Sequence, residues 1–352
     1  RAALARALGD RLIEDPASLA EVEAWFARSD RTMPETNRVQ ALRPSTAEPI
    51  SNDHGTAPGL RTTLDKADIF CLPGPPREMQ PMFDAALLPR LRPDASRAVR
   101  TRVLKTFGLG ESEIARRLGD AMSRSRGTLI GTTASMGIVS IRMRYEGPSA
   151  DASAALDEAE AIARDAAGPC VIGATDHPVG HLAAASLAAR GETISLAESC
   201  TGGLVSKMLT DTPGSSAVVV AGLVTYTNEM KQALLGVPAD LFNDDTHTDR
   251  PGAVSEEVAT AMAEGCRDRM GTNHALAITG IAGPSGAVPG KPVGTVYVAH
   301  ATQVGTHCRR FLFRGDRQAI RTWSANTALG MLLLNRRVGL EQPFVGEVTG
   351  TP

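Results

Sequence analysis

Apolar residues near the N-terminus recur at the spacing of helices, and short strand-like runs follow them. Leu4, Leu8 and Leu12 predict one helix that runs into a second helix reaching Trp25. The apolar run Ile69–Leu72, which is followed by a Pro-Gly pair, is typical of a buried strand that ends in a loop. The N-terminal part of the chain is therefore predicted to mix helices and strands.

The middle of the chain shows both the strand-like alternation and the helical spacing of apolar residues. Residues Ile138–Arg144 alternate between apolar and polar, which indicates a strand with one exposed face. Helices are predicted over Glu113–Met122 and over the Ala/Glu/Asp-rich stretch Ala152–Ala167. This pattern predicts a small α+β unit.

The C-terminal half alternates strands with helices. Five strands are predicted, at Thr193–Ala197, Ala217–Tyr226, Ala275–Thr279, Gly294–His300 and Arg309–Phe313. Helices are predicted at Glu229–Leu235, Ser255–Met270 and Asp316–Arg337. This alternation predicts an α/β domain with helices on both faces of one sheet.

Composition narrows the class of protein. The 352 residues suffice for two or three domains, and 42% apolar with 22% charged residues is ordinary for a globular chain. The net charge of −2 and the absence of a long basic run argue against a DNA-binding protein. No C-x-x-C pair occurs among the five cysteines, and no apolar run approaches the roughly 18 residues that a membrane span needs. We expect a cytoplasmic protein that does not bind a membrane.

The segment Ala197–Gly203 carries the strongest chemical signal. It follows a predicted strand and opens a helix, so its N–H groups lie at a helix N-terminus, and two glycines allow a ligand to approach the backbone. The joint is compatible with an anion pocket, a nucleophile turn or an ordinary tight turn. Its two candidate nucleophiles are Ser199 and Cys200.

Lysine is the better activating partner in this sequence. A catalytic cysteine usually needs a histidine, and no histidine occupies an evident loop motif, so a buried structural Cys200 is favoured. Serine can be activated by a lysine that burial keeps neutral. Lys231 follows a second strand-to-helix joint, and in a parallel sheet such joints share one edge. An exposed, solvated lysine is the ordinary alternative.

Further polar residues fall at similar joints. Glycine-rich segments occur at Thr279–Pro284 and Lys291–Thr295, each beside an apolar run. Arg317 starts the last predicted helix, and Arg321 lies one turn later. These arginines could bind phosphate or carboxylate, or could form ordinary surface salt bridges.

Seven ordered blocks resemble a known family. AESCTGGL, TPGSSA, VTYTNEMKQALLGV, GAVSEEVA, TGIAGPSG, KPVGTVY and GDR resemble the C-terminal domain of the CinA family, which is similar to PncC-type nicotinamide-nucleotide amidases. NRVQALRP, HGTAPG and LPGPPREMQPMF resemble the family's molybdopterin-binding-like domain, and TFGLGESEIARRL resembles its KH-like domain. The resemblance implies three domains, over residues 1–92, 98–172 and 176–340. Because two early family segments are absent, we expect the first domain to be truncated.

The resemblance also implies a serine amidase that deamidates nicotinamide mononucleotide. Ser199 matches the nucleophile and Lys231 its base, while Tyr226 is expected to hydrogen-bond this pair or to shuttle a proton. Residues at the remaining matching positions are expected to contact substrate: Thr201, Gly202 and Gly203 as an oxyanion hole, Thr279 and Gly283 lining the nucleotide pocket, and Arg317 and Arg321 binding the 5′-phosphate. The amidase is expected to need no metal or cofactor, and a homodimer is expected.

Three alternatives remain. Some family members could bind nucleotides in a competence-associated regulatory role without turnover. In full-length relatives the first domain is associated with a divalent-metal-dependent ADP-ribose pyrophosphatase, and we do not expect that activity from this chain because half of the site is absent. Asp53 and Glu78 are the candidate metal ligands here, although ordinary surface carboxylates are the commoner interpretation. Nucleic-acid binding by the KH-like unit is disfavoured because its loop reads GLGE, without basic residues. His247 lies in a polar loop that is longer than the family's, and no proposed step uses it.

Overall fold

The computed structural model of the chain describes residues 1–28, 30–91, 94, 96–125, 127–243, 249–334 and 344–348. The chain forms two compact units, Arg1–Asp94 and Ala95–Pro352. Within the described residues, no helix is both long and apolar enough to cross a lipid bilayer.

The N-terminal unit combines short helices with two antiparallel sheets. Its helices are α1 (Ala2–Leu8), α2 (Pro16–Ala27) and α3 (Pro76–Met82), and its strands are β1 (Leu12–Glu14), β2 (Leu42–Pro44), β3 (Glu48–Ile50), β4 (Gly59–Leu64) and β5 (Ala67–Cys71). The prediction for Leu12 was wrong, because this residue opens β1, which pairs with β2 and separates the two helices. The strand predicted at Ile69–Leu72 exists as β5, but its residues are half-buried or exposed rather than buried.

The second unit begins with a small α+β layer. Strands β6 (Arg97–Phe107), β7 (Thr128–Ser135), β8 (Ile138–Pro148) and β9 (Val171–Gly173) form an antiparallel sheet in the order β7-β8-β6-β9. Helices α4 (Glu111–Leu118) and α5 (Ala152–Ala167) cover one face of this sheet. In β8 buried and exposed residues alternate, which confirms the prediction of a half-exposed strand.

The C-terminal half is a three-layer α/β domain, as predicted. Its sheet contains β10 (Ile194–Glu198), β11 (Val219–Val224), β12 (His274–Gly280), β13 (Thr295–Thr302) and β14 (Gly305–Leu312), in the order β11-β10-β12-β13-β14. One face packs against α6 (Val179–Ala188), α7 (Leu204–Thr210) and α10 (Arg317–Leu334). The other face packs against α8 (Asn228–Leu235) and α9 (Glu256–Met270). The predicted end of the last helix, residues 335–337, lies outside the described residues.

The sheet is mixed rather than wholly parallel. Strand β10 runs parallel to both β11 and β12, whereas β13 and β14 are antiparallel to their neighbours. Only Gln303 and Val304 separate β13 from β14, and so short a connection permits a hairpin but no crossover. The carboxyl ends of β10, β11 and β12 therefore share one edge of the sheet.

Helix α10 also contacts the α+β layer within the same unit. The Asn326 side-chain amide donates a hydrogen bond to the Met136 carbonyl oxygen at 2.9 Å. Gly137 lies so close to the Trp323 ring that a Cβ atom there would stand only 2.9 Å from it. Because α10 begins at Arg317, the hairpin between β7 and β8 supports the helix that carries both candidate phosphate-binding arginines.

Candidate functional site

Three strand ends are joined at the edge of the sheet where Ser199 lies. The Ser199 N–H donates to the Ile278 carbonyl oxygen of β12 at 2.9 Å. The Thr225 N–H, directly after β11, donates to the Glu198 carbonyl oxygen at 2.9 Å. These bonds extend the ladder past the end of β10, so the backbone of Ser199 is held from both sides.

Ser199 opens a tight turn that leads into α7. The Gly202 N–H donates to the Ser199 carbonyl oxygen at 3.1 Å. Gly202 and Gly203 have φ values of 58° and 89°, a region that glycine enters without steric cost. The Gly202 N–H is therefore committed to the turn and is not a free oxyanion donor. The N–H groups of Thr201 and Gly203 have no hydrogen-bond partner within the described chain.

Lys231 lies on the buried side of α8. The Thr227 hydroxyl caps this helix by accepting from the Met230 N–H, and the Lys231 side chain is only 1% exposed. Its ammonium donates to the carbonyl oxygens of Thr225 at 3.0 Å and Tyr226 at 3.4 Å. Removal from water disfavours the charged form, so burial lowers the pKa of Lys231 below its ordinary value.

Ser199 and Lys231 are linked through the backbone of Thr225, which directly follows β11. Thr225 accepts from Lys231 through its carbonyl oxygen and donates through its N–H to the residue before Ser199. No direct hydrogen bond joins the Ser199 hydroxyl to the Lys231 ammonium in the part of the chain that the structure describes. Catalytic hydrogen bonds often close only when substrate is bound, so this arrangement remains compatible with proton transfer.

Cys200 has the properties of an inert core thiol. It belongs to the apolar cluster beneath the sheet, and burial raises its pKa to about 12. A thiol with such a pKa carries almost no thiolate at neutral pH, and the thiolate is the nucleophilic form.

Arg317 and Arg321 occupy different positions around the turn. Arg317 donates from Nη2 to the Tyr226 hydroxyl oxygen at 2.8 Å and from Nη1 to the Gly283 carbonyl oxygen at 2.9 Å. Arg321 donates from Nε and Nη2 to the Thr201 carbonyl oxygen, at 3.2 and 2.6 Å. The structure therefore brings Arg317 together with Tyr226 and Gly283, whereas Arg321 supports the turn that Ser199 opens.

Thr279 lies at the same edge, but its hydroxyl is already engaged. The side chain is 1% exposed, and Oγ1 donates to the Ala253 carbonyl oxygen at 2.6 Å. This bond ties the end of β12 to the loop before α9. Thr279 therefore presents no free donor to a nucleotide pocket in this structure.

Sequence reasoning missed Glu198 and two threonine hydroxyls. The Glu198 side chain is fully buried and accepts hydrogen bonds from α7, although its only sequence signal is a charge at the end of an apolar strand. The Oγ1 atoms of Thr201 and Thr225 are buried without a hydrogen-bond partner. Such atoms are costly unless a water or ligand satisfies them.

Of the two N-terminal carboxylates considered as metal ligands, Glu78 is engaged by neighbouring residues. The Glu78 carboxylate accepts from the Asn52 side-chain amide at 2.7 Å and packs closely against Gly55. Among the described residues, no three His, Cys, Asp or Glu side chains converge as a metal site would require. His247 lies outside the described residues.

Comparison with known proteins covers nearly the whole chain. Residues 176–335 match the CinA C-terminal domain, residues 101–173 the damage-inducible protein CinA KH domain, and residues 1–93 the probable molybdopterin binding domain. A CinA-like protein of Geobacter metallireducens is 41% identical over 334 residues, which cover 94% of this chain and 79% of the relative. A CinA-like protein of Anaeromyxobacter sp. is also 41% identical, over 95% of this chain and 80% of its own length.

The chain is also similar to solved structures over part of its length. The competence/damage inducible protein CihA from Agrobacterium tumefaciens is 41% identical, and the match covers 45% of this chain and 94% of that protein with a TM-score of 0.41.

Proposed function

The chain belongs to the CinA family, and from this premise we propose that its C-terminal domain is a serine amidase that deamidates nicotinamide mononucleotide. One observation carries the proposal. Lys231 is almost fully buried, has a lowered pKa, and donates a hydrogen bond to the Thr225 carbonyl oxygen, at the strand end next to Ser199. A neutral lysine is a base of suitable strength for a serine hydroxyl, and such perturbed groups concentrate at functional sites.

The first half of the reaction forms an acyl-enzyme. The Ser199 hydroxyl attacks the carboxamide carbon of the nicotinamide ring as Lys231 accepts its proton. The resulting tetrahedral oxyanion is stabilised by the N–H groups of Thr201 and Gly203, two donors that the turn leaves without a partner among the described residues. The intermediate collapses when Lys231 returns the proton to the leaving nitrogen, so that ammonia departs and an ester to Ser199 remains.

The second half releases the acid. Lys231 deprotonates a water molecule that attacks the ester carbon, and the proton passes on to the Ser199 oxygen as the C–O bond breaks. The products are nicotinate mononucleotide and a regenerated serine hydroxyl. One water is consumed and one ammonia is formed per turnover.

Arg317 is the group proposed to bind the 5′-phosphate. It is exposed, and it keeps its position through the Tyr226 hydroxyl and the Gly283 carbonyl oxygen. An arginine held in this way presents charge to an anion with little loss of side-chain entropy. Arg321 is assigned the supporting role that its two bonds to Thr201 indicate.

Product analysis tests the proposal. The purified chain is incubated with nicotinamide mononucleotide, and nicotinate mononucleotide and ammonia are quantified separately. Equimolar formation of the two products supports the amidase. Free nicotinamide would instead indicate cleavage of the glycosidic bond, and an unchanged substrate bound by the protein would indicate a nucleotide-binding role.

A further inference from the structure

The Glu198 carboxylate is buried between β10 and the first turn of α7. Its side chain is 0% exposed and accepts three hydrogen bonds, from the Ser206 N–H at 2.8 Å, the Ser206 hydroxyl at 2.7 Å and the Val205 N–H at 3.1 Å. A buried carboxylate is costly unless donors compensate it, and here three donors converge on it.

Glu198 is also bonded through its main chain on the opposite side of the turn. Its carbonyl oxygen accepts from the Thr225 N–H at 2.9 Å, and the Thr225 carbonyl oxygen accepts from the Lys231 ammonium at 3.0 Å. Glu198, at the end of β10, is therefore bonded both to Thr225, which accepts from Lys231, and to α7, which follows Ser199. The intervening turn contains two glycines with positive φ, so its own backbone supplies little rigidity.

We propose that Glu198 is a positioning residue, which fixes the Ser199 turn by holding α7 against the end of β10. This proposal rests on the proposed amidase function. Glu198 touches neither substrate nor the reacting atoms. Its carboxylate sets where the turn ends, and thereby sets the direction of the Ser199 hydroxyl and of the Thr201 and Gly203 N–H groups.

This geometry requires both the length and the negative charge of the Glu198 side chain. Aspartate is one methylene shorter and could not reach both Val205 and Ser206 from the same backbone position. Glutamine keeps the length, but its NH2 group would face either the Val205 N–H or the Ser206 N–H, which would then lose its acceptor. Both variants are therefore expected to loosen the turn while leaving Arg317, the proposed phosphate-binding group, in place.

The test separates positioning from a general loss of stability. For Glu198→Gln we expect kcat for ammonia release to fall about 10²-fold, the effect typical of a displacement of about 1 Å, while KM stays within about twofold. Amide hydrogen exchange at Val205 and Ser206 should accelerate. Ser206→Ala, which removes only one donor, should show the same changes to a smaller extent. Glu264→Gln, at an exposed position of α9, is the matched control and should behave like the parent.

A fluorophosphonate supplies a readout that does not depend on the nucleotide substrate. We expect it to label Ser199 in the parent and to label Glu198→Gln much more slowly, with Ser199→Ala as the blank. An unchanged labelling rate and kcat in Glu198→Gln would overturn the positioning role, as would a parent protein that is not labelled at all. Labelling of the parent without ammonia release would contradict the proposed substrate but leave the role of Glu198 standing.

Discussion

The Lys231 ammonium donates a hydrogen bond to the Thr225 carbonyl oxygen at 3.0 Å, although the lysine side chain is 1% exposed. A lysine in this setting is not a solvated surface charge. Burial lowers its pKa from the ordinary 10.5, so a larger fraction is neutral at any given pH near neutrality. The chemistry proposed for Ser199 depends on that neutral fraction.

The activity should therefore follow the titration of Lys231. We expect kcat/KM for nicotinamide mononucleotide to rise with pH and to reach a plateau above an apparent pKa. This apparent pKa should lie below 10.5. Steady-state rates measured across a pH series in one buffer mixture check this. A profile without any inflection below that value would contradict the assignment of Lys231 as base.

Lys231→Met should lose activity and change the pH dependence of stability. In the parent, the unfolded lysine binds more protons than the folded one between the lowered pKa and 10.5, so stability rises with pH across that window. Below the window both states are protonated, and the contribution is constant. The free energy of unfolding of the parent, measured relative to Lys231→Met in urea, should thus increase across the window. A constant difference would show that the folded pKa is not lowered.

Cys200 should be dispensable for catalysis. Because burial raises its pKa to about 12, it remains a thiol at neutral pH. We predict that Cys200→Ala retains kcat within a few-fold of the parent and that iodoacetamide leaves the parent active. Inactivation by iodoacetamide that Cys200→Ala abolishes would identify the thiol as the nucleophile instead.

Arg317 should discriminate between phosphorylated and unphosphorylated substrates. A charge-assisted hydrogen bond contributes about 1.5–3 kcal/mol, so Arg317→Gln should raise KM for the mononucleotide about 10- to 100-fold. Hydrolysis of nicotinamide riboside, which lacks the phosphate, should change little. Equal losses with both substrates would indicate that Arg317 acts through its bond to Tyr226.

Gly265→Ala should reverse the usual effect of this substitution in a helix. Alanine normally stabilises a helix interior by about 1 kcal/mol relative to glycine. Here the added Cβ would overlap the Leu235 carbonyl oxygen of α8, so we predict a loss of about 1–3 kcal/mol by urea unfolding and reduced kcat, since α8 carries Lys231. The neighbouring exposed Glu264→Ala should stay within about 0.5 kcal/mol of the parent. A stabilised Gly265→Ala would contradict this packing.

The strand-to-helix joints that carry Ser199 and precede Lys231 could be predicted because each follows a regular alternation of strand and helix. The hydrogen bond from Arg321 to the Ser199 turn could not be predicted. Sequence does not show that the guanidinium faces the Thr201 carbonyl oxygen rather than open solvent. The same holds for Thr279, whose hydroxyl is committed to Ala253. Leu12 was misassigned because leucines spaced four apart also arise when a three-residue strand follows a helix.

Ammonia release from nicotinamide mononucleotide, compared between the parent and Ser199→Ala with and without EDTA, tests the central claim most directly. The account predicts release by the parent that EDTA does not change and that Ser199→Ala abolishes. Release that persists in a folded Ser199→Ala protein, or no release from the folded parent, would contradict it.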